Sequence, residues 1–533
     1  MSDGRELVII KNIRYTAFAM AAVFLLTFFS GCRRDAAQDD RNVNKLEDGN
    51  LIVRENLNEI NISVSSFDTF NPIMTKSPSV AEFMKTVCEP LFEYDEACNP
   101  IPLLAQNYAL SSDGLTVSFD VKPVQFHDSS ALSASDVIYT INMIKNNDTL
   151  YDDCVKYIKD AFSDENGRVY IRLRKPVVNF AGMLNFPIVK NKTPAEVSPD
   201  YIPVGTGPCK YNGKKNANQV AFCANAEWHG GEPGFKNIIV NVLKDSTVML
   251  HSFDAGETDV AASVFAGGGE IAPRGEYNVN EYTSNALTFL GINNTLQKFS
   301  GKYTRKAIEL LCDKEKIVRV EMYSKAEKVK FPINPSAWFY PETAEEARDY
   351  ETINANLAKD GWTKTEDGYY RDAGGRALSV KILVNKDNDE KVRIADNIAD
   401  GLNEFGIAAT LRSMDFERYK AAVREKDYDL FVGEIIMDSS MDPSMFTAPG
   451  DNYFGYSGTA GGALDGAAKT ADQSVIKAKL AEYAAAFSDE IPFVPLFFKK
   501  ERVVYNKYLS GVLPPNMYGI YRGIDKWYIS KTK

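Results

Sequence analysis

The sequence predicts an α/β protein built as two or three lobes, and three observations lead there. The chain has 533 residues, beyond the ~250–300 at which a single hydrophobic core stops growing. Hydrophobic residues make up 44% and charged residues 25%, ordinary for a globular chain, so disorder, a collagen-like rod and a polytopic membrane protein are excluded. Strand-period and helix-period apolar patterns both occur, interleaved without strict alternation and without internal repeat.

The N-terminus stands apart from the fold. Arg5, Lys11 and Arg14 precede an uncharged stretch from Tyr15 to Gly31. A basic start followed by a short apolar run is a secretory signal. It ends Phe29-Ser30-Gly31-Cys32, which resembles a bacterial lipobox with Phe in place of the usual Leu or Val. That resemblance implies lipidation of Cys32 and a lipid-anchored, extracytoplasmic protein. The alternative is an uncleaved anchor helix, although the run is at the short end of the ~20 residues a span needs. Arg33 to Asn50 holds nine charged residues and no aromatic, the composition of a flexible tether.

The remaining elements follow in order. Leu115–Val121 and Val169–Leu173 alternate apolar and polar and read as half-buried strands; 238–243 and 380–384 are further strand candidates. Ser133-Ala-Ser-Asp136 resembles a capping box and opens a helix with Val137, Ile138, Ile141 and Ile144 inward. Ile394, Ile398, Leu402 and Phe405 recur at helical spacing before a Gly406 cap, and Ile476, Leu480, Tyr483 and Phe487 form a similar stripe. These stripes read as core. Apart from Cys32 there are six cysteines. Cys209 and Cys223 flank a plausible hairpin and are either a disulfide across it or two small buried residues.

Charge and motifs exclude several functions. The net charge is −11 with no long basic run, so no nucleic-acid partner is expected. Three histidines, His127, His229 and His251, make a His-rich metal site unexpected, and no Cys-x-x-Cys occurs. Neither a Gly-x-Ser-x-Gly elbow nor a His-Glu-x-x-His helix is present. Gly267-Gly268-Gly269 lacks the strand-then-helix setting of a phosphate loop and reads as a plain loop. His127-Asp128 is either a catalytic pair or a structural turn, and the turn is favoured. No enzyme, no catalytic residue, no metal and no cofactor are expected.

Several segments, in order, resemble the family 5 extracellular solute-binding proteins of ABC transporters, the peptide- and nickel-type receptors. Cys88-Glu-Pro-Leu-Phe-Glu-Tyr-Asp95 is similar to the family's YEPLFEYD. Ile101–Ala105, Ser112–Thr116, Val124-Gln-Phe-His-Asp128 and Ser135-Asp136-Val137 match its signature. Val204-Gly-Thr-Gly-Pro208 resembles VGTGPY, and Asn225-Ala-Glu-Trp-His-Gly-Gly231 resembles NPDYWGG. Gly256–Val260, Phe289–Asn293, Arg305–Ala307, Cys312–Glu315, Asp442-Pro443 and Pro492–Leu496 complete the set. The resemblance implies a two-lobed periplasmic-binding-protein-like fold, large, with a subdivided first lobe. By analogy lobe I covers 51–288 with 499–533 and lobe II covers 289–498. The crossings fall near 287–293 and 496–500, and ligand sits in the cleft between the lobes.

The same resemblance implies short peptides as ligand, ABC permease subunits as partners, and a monomer. Other solutes, such as an oligosaccharide or a nickel chelate, or a surface-sensor role, are the alternatives. In peptide-binding relatives an Asp shortly before an acidic-Pro pair takes the ligand ammonium. Asp438, ahead of Asp442-Pro443, matches it, with one extra residue and with Ile435 where Trp is usual; a turn-capping role is its alternative. Glu434 is the next candidate. Trp338 and Tyr340 are expected to border the cleft and pack ligand side chains. Ser65, Ser66 and Phe67 are expected to offer backbone hydrogen bonds, Lys386 a cation for the ligand carboxylate, and Tyr456 a place on the loop after Asp442.

Overall fold

The computed structural model describes residues 58–263, 273, 276–342, 349–447 and 452–530, with a short antiparallel pairing of Val43–Asn44 and Val53–Arg54 ahead of them. Cys32, most of the charged segment after it and Gly267–Gly269 lie outside the described residues. Among the described residues no helix is long and apolar enough to cross a membrane.

Two exceptionally long strands organise the chain. Tyr277–Ile292 and Phe493–Asn506 pair antiparallel from Tyr277↔Asn506 to Gly291↔Phe493. At ~3.4 Å per residue the longer one reaches roughly 50 Å, more than a single lobe needs. Their outer neighbours change along the way. One end of Phe493–Asn506 pairs Val260–Ala262, through Val260↔Tyr505. The opposite end of Tyr277–Ile292 pairs Leu430–Ile436, through Ala286↔Ile436 and Ile292↔Leu430. Between these ends the register slips, from Thr283↔Lys500 to Leu287↔Phe498. An unequal residue count on paired strands bends and twists them.

The rest of the eleven-stranded sheet divides accordingly. In the first lobe the order from the edge is Cys209–Asn216, Gln219–Ala224, Asn237–Leu243, Glu59–Ser65 and Val260–Ala262. In the second lobe Leu430–Ile436, Ser379–Asn385 and Ala408–Met414 continue outward, the last pairings being parallel. A separate antiparallel sheet, in the order Ala105–Leu110, Thr116–Val121, Val169–Leu173 and Ile158–Ser163, subdivides the first lobe. The mixed, two-lobed α/β architecture is thus established. Each sheet face has its own core: Ile62, Val64, Phe222 and Trp527 in the first lobe, Ile382, Ile394, Leu402 and Phe497 in the second.

The local expectations hold where the pattern was long. Ala134–Asn146 is helical, and the Asp136 carboxylate accepts from the Ser133 backbone N at 2.8 Å. Ile138 is only half buried there. Asp389–Phe405 ends on Gly406 at φ 104°, and Gln473–Glu490 buries Ile476, Leu480, Tyr483 and Phe487. Of the two readings for Cys209 and Cys223, the unpaired one holds. Cys209 lies opposite Ala224 and Cys223 opposite Lys210. One residue of offset puts the two thiols on opposite faces of the ribbon, and both are free.

Candidate functional site: the lobe junction

The motif residues converge on one buried knot in the first lobe. Glu89 is 3% exposed and its carboxylate accepts from Trp228 Nε1 at 2.9 Å, His229 Nε2 at 2.9 Å and Thr206 Oγ1 at 2.8 Å. Lys122 Nζ lies 3.0 Å from His229 Nδ1. An ammonium has no acceptor, so Nδ1 accepts and Nε2–H faces Glu89. Gly205 is glycine for a packing reason, since a Cβ there would stand 1.8 Å from the Val87 carbonyl oxygen. His127 is a structural residue of the same turn: Nε2 donates to Gly207 O at 2.9 Å and Nδ1 accepts from Gly205 N. Asp128 instead faces Lys190 and Ser130, so the two residues make no catalytic dyad.

The junction between the lobes is built from the segment after Leu430–Ile436. Tyr518 donates its hydroxyl to Ser439 O, Asn179 Nδ2 to Ser440 O at 3.2 Å, and Val178 N to Asp442 Oδ2 at 3.2 Å. Contact is close enough that a Cβ on Gly182 would stand 2.4 Å from Ser439 O. Asp442 also accepts from Ser444 N at 2.8 Å, the turn-forming geometry, and burial pushes its carboxyl up from the ordinary value.

Asp438 lies at this junction with 10% of its side chain exposed, and its charge is met from within the protein. Lys156 Nζ stands 2.8 Å from Oδ2. Tyr157 donates its hydroxyl to the same oxygen at 3.2 Å, while Ser440 N donates to Oδ1 at 3.0 Å. Partial burial works to lower the Lys156 pKa, but Asp438 outweighs it and the ammonium titrates above the usual lysine range. Asp438, the residue expected to take a ligand ammonium, thus meets Lys156 and Tyr157 in this structure. Glu434 is likewise engaged: Lys391 and Lys499 approach it at 2.5 Å and 2.9 Å. Burial alone would raise its pKa; the two lysines prevail and hold it at about 2.

The other expected site residues scatter. Ser66 is exposed with φ 53°, and the Ser65 backbone is occupied by Ser77 and Ser79 hydroxyls. Phe67 packs on Phe70 with ring centroids 4.8 Å apart. Trp338 sits edge-on to Phe339 under Lys477, its buried Nε1 without a partner among the described residues. Tyr340 packs near Phe331. Lys386 is an exposed loop residue. Tyr456 is a core residue of the second lobe: its hydroxyl donates to Glu490 and accepts from Ala460 N at 2.9 Å.

Beside the junction lies a cavity open to solvent, of about 320 Å³, lined by the helix Pro78–Met84, the Leu150–Cys154 turn, Tyr282 on the long strand and 516–520, all of the first lobe, and by Ser439 from the second. Ser77 caps that helix through Val80 N, with Pro78 at its first position. This aims Glu82 and Lys85 inward from one turn. Lys85 Nζ binds Glu82 Oε1 at 2.7 Å and Tyr518 O at 3.0 Å. Glu82 Oε2 and the Tyr151 hydroxyl are buried with no hydrogen-bond partner among the described residues. The residues missed by sequence reasoning are these: Glu82, Lys85, Tyr151 and Tyr282 carry no motif. A larger groove, about 500 Å³, lies around Glu89, Glu93 and Arg522. Its walls come from the first lobe alone, so the smaller cavity is the candidate site.

Comparison with known proteins gives a consistent picture. Residues 99–457 match the family model described as bacterial extracellular solute-binding proteins, family 5 Middle. The chain is 21% identical to the oligopeptide-binding protein AppA of Bacillus subtilis over 97% of its own length and 99% of that protein. It is 23% identical to the glutathione-binding protein GsiB of Pectobacterium atrosepticum, over 56% of this chain and 61% of that one. The fold is similar to a nickel ABC transporter structure from Bacillus halodurans, with a TM-score of 0.74 at 18% identity, covering 89% of this chain and 100% of that one.

Proposed function

The chain belongs to the bacterial extracellular solute-binding proteins, family 5, and from that premise we propose that it captures short peptides between its lobes and delivers them to the permease subunits of an ABC importer. The observation that carries this reading is the cavity at the lobe junction, lined by first-lobe residues that include Glu82, Lys85 and Tyr151, with Ser439 reaching it from the second lobe. Clefts between domains are where small ligands are most effectively buried. The relatives AppA and GsiB are named for peptide ligands, which favours peptides over sugars or metal chelates. None of the three histidines lines the cavity.

In this reading lobe I is 51–288 with 499–533 and lobe II is 289–498. The register slip at Thr283–Leu287 against Phe498–Lys500 is the hinge. The protein acts by binding and closure, without a catalytic step, as a monomer tethered through a lipid on Cys32. A ligand that binds only the closed form stabilises it by about 2.7 kcal/mol at 100 times its dissociation constant. The test is a peptide library scored by thermal unfolding and solution scattering. A raised melting temperature with a smaller radius of gyration is expected; neither effect at saturation would overturn the proposal.

A further inference from the structure

We propose that Glu501 is the anion that takes a protonated amine of the captured peptide. The inference rests on the peptide-capture reading above and places the ligand's charge on the crossing strand Phe493–Asn506.

Glu501 is the acidic residue in the run Lys499-Lys500-Glu501-Arg502, and each basic neighbour is committed to another carboxylate. Lys499 stands 2.9 Å from both Glu390 and Glu434, Arg502 2.9 Å from Glu281, and Lys500 3.9 Å from Glu327. Among the described residues Glu501 itself makes no ion pair; it is half-buried, and its Oε2 accepts from the Ser263 hydroxyl, a neutral donor. That hydroxyl in turn accepts from Arg502 N at 2.8 Å, so its single proton is directed at the carboxylate. A charge drawn partly out of water is costly unless a counter-charge meets it. Burial accordingly raises the Glu501 carboxyl above the ordinary glutamate value, and the Ser263 bond, then Lys499, offset this only in part.

The position suits a ligand group. Glu501 lies directly across from Tyr282 on the paired long strand, and residues opposite each other in an antiparallel pair put their side chains on the same sheet face. Tyr282 forms part of the wall of the cavity beside the junction. Burial first, then the Glu501 charge, raises the Tyr282 pKa, so the two side chains are within electrostatic reach. The pair Tyr282↔Glu501 is followed by Thr283↔Lys500 and then by the register slip, so a cation held here sits at the crossing itself. The other carboxylates described at the junction each meet a lysine: Asp438 meets Lys156, Glu434 meets Lys391 and Lys499, and Glu82 meets Lys85. Glu501 is the half-buried carboxylate at the crossing that is left for a cation from outside.

Calorimetry on the purified full chain with trialanine, N-acetyl-trialanine and N-acetyl-alanyl-alanyl-lysine tests this. N-acetyl-trialanine carries no amine. The wild type should bind one of the other two about tenfold more tightly, less than the full loss at a fully buried charged pair because Glu501 is half-buried. Preference for trialanine means that Glu501 takes the α-amine, and preference for the lysyl peptide means a side-chain amine. Glu501→Gln keeps the shape and an oxygen that accepts from Ser263, and should bind all three peptides alike. Glu501→Asp keeps the charge and should retain the preference in weakened form. A purely structural role would weaken all three peptides together and leave the preference intact. A preference that survives in Glu501→Gln, or a wild type with no preference, overturns this inference and leaves peptide capture standing; a wild type that binds none of the three overturns both.

Discussion

Two carboxylates on one short stretch of the chain, Glu82 and Glu89, have opposite surroundings. Glu89 is buried and receives three side-chain donors, from Trp228, His229 and Thr206. Glu82 gives one oxygen to Lys85, and the other is buried without a partner among the described residues. Every donor to Glu89 comes from the first lobe, so that knot is finished when the lobe folds. Glu82 lines a cavity that Ser439 of the second lobe also reaches. A carboxylate with three donors from its own lobe is fixed when that lobe folds, whereas Glu82 depends on the single cation of Lys85.

The largest test of that contrast is Glu89→Gln. The amide must present N–H to at least one group that itself donates, and the remaining bonds lose their charged acceptor. Hydrogen bonds to a charged group contribute about 1.5–3 kcal/mol each, so a loss of roughly 2–3 kcal/mol is expected. Urea unfolding should show that loss as a lower midpoint with little change in slope. A loss under 1 kcal/mol would remove the distinction between the two carboxylates.

Acid titration probes the second-lobe cluster. Lys391 and Lys499 hold Glu434 at about 2, against the opposing effect of burial and below the ordinary glutamate value of 4.5. A depressed carboxylate contributes stability that is fully present above the unfolded pKa and is lost as pH falls through the folded one. The window is therefore about pH 4.5 down to 2. At 1.36 kcal/mol per unit, discounted for partial exposure and shared lysines, the contribution is up to about 3 kcal/mol. Glu434→Gln should flatten the acid limb of the stability curve in that window and leave Glu82 and Glu89 untouched. An unchanged acid limb would mean that the lysines spend their charge elsewhere.

How much of this was legible in the sequence depended on whether the relevant contacts were local. Helical stripes such as Ile394 to Phe405 repeat within one element, and their burial could be read directly. The segments around Glu89, Gly205 and Trp228 were visible as separate strings; what the fold adds is that they are one knot, with Gly205 forced by the Val87 carbonyl. The junction was nearly illegible. Lys156 and Asp438 are far apart in the chain, and nothing in either neighbourhood announces their pairing. Glu82 on Pro78–Met84 reads as an ordinary surface position of a short helix. Only the return of 516–520 and the arrival of Ser439 bury it. For Cys209 and Cys223, a hairpin was inferable, but a one-residue register difference decided which faces the thiols took.

Lys156→Met is a smaller perturbation that acts on closure. It leaves Asp438 with Tyr157 and Ser440 but removes the cation that bridges the subdivided first lobe and the second. Lys156 is 36% exposed in its side chain, so water screens part of the interaction and about 1–2 kcal/mol is expected. Solution scattering of the unliganded variant should show a larger radius of gyration. An unaltered profile would mean that the backbone contacts of Ser439 and Ser440 hold the junction without the ion pair.

The smallest expected effect completes the contrast. Glu82→Gln makes the same chemical change as Glu89→Gln, on the same stretch of chain, but at a carboxylate with one protein donor instead of three. The Gln side-chain oxygen can still accept from Lys85, and Lys85 keeps Tyr518 O. What disappears is the charge of a carboxylate whose one ion pair is with Lys85, and the smaller desolvation cost of a neutral amide offsets that loss. The pair itself is partly exposed, at 15% and 24% of the two side chains, where ion pairs contribute about 0–1 kcal/mol. Unfolding of the ligand-free protein should therefore shift by less than about 1 kcal/mol in either direction. A destabilisation matching that of Glu89→Gln would place Glu82 in the framework of the first lobe.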